Sequence, residues 1–209
     1  MNRWFDNLPI IGKRIPGKIT LSFLMLIFAI SMYLIFRTVD RAICVLAMAF
    51  SFTGDIALNH RKNHNEQSKK DLIIGGIFFI VAHICYCMAY YRKILINKYL
   101  LFNIGSVFAI TILVALTITI LVLNVSKNIK LLIFAIAYLW ITGINYCAIF
   151  SYAFSTKSGE SIVAIGGLMF LASDVIIGLE KFSRLRSKLA RELVWWLYPL
   201  GQIILIAMA

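Results

Sequence analysis

Long hydrophobic runs broken by short polar segments dominate the chain. Seven runs stand out, at roughly 19–36, 42–59, 72–91, 100–123, 131–153, 161–179 and 192–209. Each holds close to the ~20 mostly apolar residues that a helix needs to cross a bilayer. Hydrocarbon offers no partner to an open backbone N–H or C=O, so each run is predicted to be an α-helix. The connections, such as Asn59 to Asp71 and Lys181 to Arg191, are short and polar, and none has room for a soluble domain. The predicted fold is all-α, a polytopic transmembrane helix bundle of about seven spans. Residues 1–18 are expected to form a basic N-terminal segment and residues 19–209 a single membrane domain. The run from Ile19 to Phe36 is long for the apolar part of a signal peptide and no A-x-A site follows it, so it reads as a retained helix.

Composition agrees with the pattern. Of 209 residues, 61% are hydrophobic and 14% charged, with a mean hydropathy of +0.88. Soluble domains carry about 25% charged residues, so a soluble domain, a disordered chain and a disulfide scaffold are all excluded. The net charge of +12 reads as orientation. With the N-terminus inside, 15 of the 21 Lys and Arg residues fall on inside segments and 6 on outside ones. The positive-inside rule then predicts N-in and C-out, in the cell membrane if the source is bacterial. The expected partner of the basic charge is anionic lipid headgroup, with no nucleic acid.

The informative residues are the polar ones inside the runs. Of nine acids only Asp55 and Asp174 fall there, where a carboxylate costs ~2.5–3.5 kcal/mol at the span centre and marks function by default. No Lys or Arg lies inside a run, so neither acid is expected to have a basic partner at its depth. Both sit roughly 6–9 Å below the inner boundary at ~1.5 Å per residue, close enough in level to meet as a pair. His83 is the one histidine inside a run, on a face with Gly76, Phe79, Tyr86 and Tyr90. Further polar faces are Ser51, Gly54, Asp55 and Leu58; Tyr138, Thr142 and Asn145; and Tyr198 with Gln202. Asp174 shares a face with Gly167, Phe170 and Ile177. Each set alone would serve as contact between helices. Together they predict one polar, water-accessible cavity. Residues 75–83 (GGIFFIVAH) echo 166–174 (GGLMFLASD), which puts His83 where Asp174 falls and suggests an inverted repeat. Cys44, Cys85, Cys87 and Cys147 read as packing residues. His60 and His64 have a ligand-like spacing in a basic loop, but no metal or cofactor is expected.

In order along the chain stand Gly54-Asp55-Ile56-Ala57-Leu58; Gly75, Phe79, His83 and Tyr86; Tyr138; Ser173-Asp174 with Phe182; and Tyr198 with Gln202. This series resembles the YhhN-type lysoplasmalogenases, from about residue 40 to the end. The family commonly shows eight spans, one more than is seen here, and a Lys-Pro where this chain has Lys18-Ile19. The resemblance implies cleavage of the vinyl ether bond of lysoplasmalogens to a fatty aldehyde and glycerophosphoethanolamine or glycerophosphocholine. That chemistry needs a protonated carboxyl to deliver a proton to carbon and a second negative group to stabilise the resulting cation. The resemblance implies Asp55 and Asp174 as the catalytic pair. His83, Tyr86, Tyr138, Ser173, Tyr198 and Gln202 would orient substrate or water. Lys18, Lys181 and Arg184 would contact the headgroup phosphate. A proton-coupled transporter or channel using Asp55, Asp174 and His83 is the alternative, since intramembrane acids also build proton relays. Oligomeric state is not legible.

Overall fold

The computed structural model describes residues 14–59, 69–100, 102–122, 129–155, 161–182 and 188–209. Among them are seven helices and no strand. They are α1 (Arg14–Phe36), α2 (Val39–Asn59), α3 (Lys69–Ile96), α4 (Ile104–Val122), α5 (Ile129–Ser155), α6 (Ile162–Phe182) and α7 (Lys188–Met208). Six of them carry apolar stretches long enough to cross a membrane; in α7 the apolar stretch, Glu192–Met208, is shorter. The chain is a multi-pass integral membrane protein. Its outward side chains fit lipid: Leu34, Ile35, Ile96, Ile133 and Ile144 are each 59% exposed or more. A water-facing surface would not carry so continuous an apolar skin.

Short connections make the helices alternate in direction. Thr38 starts α2, accepting from Arg41 N on its hydroxyl and from Ala42 N on its carbonyl. Arg37 before it adopts a left-handed backbone (φ 51°) that ends α1. Asn103 starts α4: its Oδ1 accepts from Gly105 N at 2.8 Å, and its Nδ2 donates to Ser151 O of α5 at 2.8 Å. The starts of α1, α3, α5 and α7 therefore share one end of the bundle with the finishes of α2, α4 and α6, here termed the Lys18 end.

Packing runs α1 on α2, α2 on α3, α3 on α5, α4 on α5, α5 on α6, α6 on α7, and α7 back on α1. Two contacts are set by glycine. A Cβ at Gly54 or Gly75 would lie 3.3 Å from the other's carbonyl oxygen, across α2 and α3. A Cβ at Gly201 would lie 2.9 Å from Gly166 O and 2.8 Å from Phe170 N, across α6 and α7. Small residues let backbones approach where lipid supplies no hydrophobic drive between helices. The echoed segments thus do the same work twice: Gly75 and Gly166 each open a close contact, one beside Asp55 and the other beside Gln202.

Candidate functional site

The first polar cluster forms where α3, α5 and α6 meet. His83 Nε2 lies 3.0 Å from Asp174 Oδ2. The Tyr146 hydroxyl donates to the same oxygen at 2.9 Å. Asn145 Nδ2 faces His83 Nδ1 at 2.9 Å. With that amide donating, the ring proton sits on Nε2 and is given to Asp174. The ring is wholly buried and stacks on Phe170, with centroids 4.7 Å apart and planes 16° from parallel. Tyr146 and Tyr138 close its edges. Among the described residues Asp174 Oδ1 has no bond.

Asp174 also lines a cavity of about 170 Å³ between α2, α3, α4, α5 and α6, toward the Lys18 end. The walls are chiefly Leu58, Leu72, Phe79, Leu116, Leu132 and Leu171. Two further wall residues, Thr119 and Thr142, spend their hydroxyls on their own helices, at Ala115 O and Tyr138 O. Asp174 and Tyr138 are then the polar groups left to a molecule in the cavity. The expectation of one polar, water-accessible cavity is corrected here: the space is apolar, because the polar faces of α2, α3 and α7 bond one another instead of lining it.

The second cluster holds Asp55. Its Oδ1 lies 3.0 Å from Lys18 Nζ. Its Oδ2 accepts from the Ser22 hydroxyl and, at 3.1 Å, from the Tyr198 hydroxyl. The Asp55 side chain has no exposure, whereas Lys18 keeps 33%. The expectation that neither acid has a basic partner is thereby overturned. Helix α1 begins at Arg14, before the apolar run, so Lys18 and Ser22 stand four apart on one helical face directed at α2. A third set joins α3, α7 and α2: the Tyr86 hydroxyl donates to Gln202 Oε1, and Gln202 Nε2 to Ser51 Oγ at 3.4 Å.

Asp55 and Asp174 do not meet. Among the described residues they share no hydrogen-bond partner, and Tyr198 packs between their clusters, its ring centroid 5.9 Å from that of Phe170 and 6.4 Å from that of Phe79. Of the other predicted residues, Ser173 gives its hydroxyl to Phe170 O at 2.7 Å, on its own helix. Lys181 lies in the last turn of α6, its side chain outside the described part. Arg184, His60 and His64 lie outside the described residues. The sequence places Asn145 on a polar face with Tyr138 and Thr142 without a chemical role, and singles out neither Ser22 nor Tyr146. Tyr146 did leave a signal, standing four residues after Thr142 on the polar side of α5.

A model of the YhhN family matches residues 14–209. The chain belongs to the YhhN family. The match begins where α1 begins, so both acid clusters and the cavity of this YhhN-family protein lie within the shared region. Neither a curated protein nor a solved structure matches.

Proposed function

We propose that this YhhN-family protein is a lysoplasmalogenase, a membrane hydrolase that cleaves the vinyl ether of alkenyl-glycerophosphoethanolamine or alkenyl-glycerophosphocholine. One observation carries the reading: Asp174, held on one oxygen by His83 and Tyr146, stands in the wall of an otherwise apolar cavity. A vinyl ether resists nucleophiles but accepts a proton on the carbon beta to oxygen. Asp174 delivers that proton, and the π pair becomes the new C–H bond. The oxocarbenium ion takes up water, and the hemiacetal collapses to fatty aldehyde and glycerophospho-base, returning a proton to the site. General acid–base catalysis of this kind contributes about 10²–10⁴-fold.

The second carboxyl, Asp55, 3.0 Å from the Lys18 ammonium, is the second negative group the chemistry needs and acts across Tyr198 on the developing cation. Tyr138 orients water within the cavity, and Tyr86, Tyr198 and Gln202 hold the frame around it. The alkenyl chain lies against the leucine walls. With the Lys18 end cytoplasmic, as the basic residues favour, Lys181 and Arg184 are the headgroup contacts we propose from the sequence. The scheme uses side chains and water.

The test is to incubate purified protein with vinyl ether, alkyl ether and ester lysolipids. Aldehyde from the vinyl ether alone is the expected result. Fatty acid from the ester would make the protein a lysophospholipase. The buried His83–Asp174 pair also favours a second reading, a proton-coupled transporter. That reading predicts proton flux in liposomes and no aldehyde.

A further inference from the structure

Asn145 is 1% exposed and sits behind His83, away from the acid. Its Nδ2 is spent on His83 Nδ1, whereas its Oδ1 is buried with no partner. A lone buried acceptor is costly, and a native structure that keeps one calls for a reason. An amide presents either edge, and here the edge decides what the histidine can hold.

With N–H toward Nδ1, that nitrogen must be bare. The ring is then neutral, Nε2–H donates to Asp174, and the pair carries no transferable proton beyond the one on the ring. With the amide turned over, Oδ1 accepts Nδ1–H. Nε2 and Asp174 Oδ2, 3.0 Å apart, can then share one more proton taken from water. The orphan oxygen gains its partner in this second arrangement and Nδ2 gives up the one it had, so neither edge satisfies the whole amide.

We infer that Asn145 is a positioning residue whose amide edge sets whether the His83–Asp174 pair is loaded with the proton used on the substrate. The inference rests on the vinyl ether reading of the same site. Loading takes up one proton as the amide turns. Transfer to carbon spends that proton and restores the N–H edge. The titratable groups around the pair are the phenols of Tyr138 and Tyr146 on α5, Tyr86 on α3 and, beyond Phe170, Tyr198 on α7. Phenols are uncharged near neutral pH. Among the described residues the Lys18–Asp55 ion pair lies past Tyr198. Asn145 is therefore the direct control on Nδ1.

The test uses Asn145→Asp, which can only accept, and Asn145→Leu, which can do neither. The full chain carries His60→Gln and His64→Gln, so that His83 is its one histidine. Nitrogen-15 NMR of the labelled ring at pH 7 reads the Nδ1–H population. It should rise in Asn145→Asp and fall in Asn145→Leu. In aldehyde release, the alkaline limb of kcat should move up by about one pH unit in Asn145→Asp and down by about one in Asn145→Leu, each a tenfold change in loading. An Nδ1–H population equal in all three proteins, or shifted the same way in both variants, would overturn the inference. If Asn145→Leu does not fold, the Asn145→Asp shift alone decides. Absence of aldehyde from the parent protein would instead overturn the vinyl ether reading, and the NMR result would still judge Asn145.

Discussion

Asp174 and Asp55 are the same residue type, both inside apolar runs, yet the bundle treats them in different ways. Asp55 is held beside a charge: Lys18 stands 3.0 Å from one oxygen as an ion pair, although among the described residues no hydrogen bond reaches that oxygen, two hydroxyls donate to the other, and the side chain has no exposure. Asp174 is half-served, with both partners on Oδ2 and the carboxyl in a cavity wall. A carboxyl walled in beside a fixed ammonium meets no other molecule, whereas one in a cavity wall can exchange a proton with what lies beside it. Under the proposed function the reacting role falls to Asp174 and the electrostatic role to Asp55, a division that residue type and depth alone leave open.

Substitutions test that contrast. The largest effect is expected from Asp174→Asn, a loss of about 10²–10⁴-fold in aldehyde release. Melting temperature should hardly change, because Tyr146 and His83 still meet an amide. Asp55→Asn should behave differently. It strips Lys18 of its carboxylate and weakens a bond to a charged group, costing about 1–3 kcal/mol in unfolding stability. Its activity should fall roughly ten- to a hundredfold, less than for Asp174→Asn, since each tenfold is about 1.4 kcal/mol of barrier. Equal kinetic losses without any loss of stability would erase the distinction between the two acids.

Smaller changes sharpen it. Tyr146→Phe removes one of two donors to Asp174 and should lower kcat roughly three- to tenfold, the equivalent of about 0.5–1.5 kcal/mol. Ser173→Ala should alter kcat by less than about twofold, because that hydroxyl is spent on Phe170 O. A loss in Ser173→Ala as large as in Tyr146→Phe would mean that the serine does turn toward the acid.

Much of this arrangement is legible in the amino-acid sequence. The apolar runs locate every helix, because span length and backbone satisfaction leave few alternatives. The helical spacing of Ser51 with Asp55, and of Tyr198 with Gln202, marks faces that do turn inward. The partnerships are less legible. Lys18 looks like part of a polar leader until α1 is seen to start at Arg14, four residues before the lysine. Which faces meet depends on glycine contacts between α2 and α3 and between α6 and α7, and these are invisible along one chain. For the same reason Tyr146 and Asn145 read as ordinary polar positions on α5. Their task depends on His83 arriving from α3.

The central claim is that Asp174 protonates carbon, and the most direct measurement is the mass of the aldehyde released in D₂O. The wild-type protein should give aldehyde carrying one deuterium on the carbon next to the carbonyl, with almost no product from Asp174→Asn. Aldehyde without that deuterium, or undiminished labelled product from Asp174→Asn, would contradict the account.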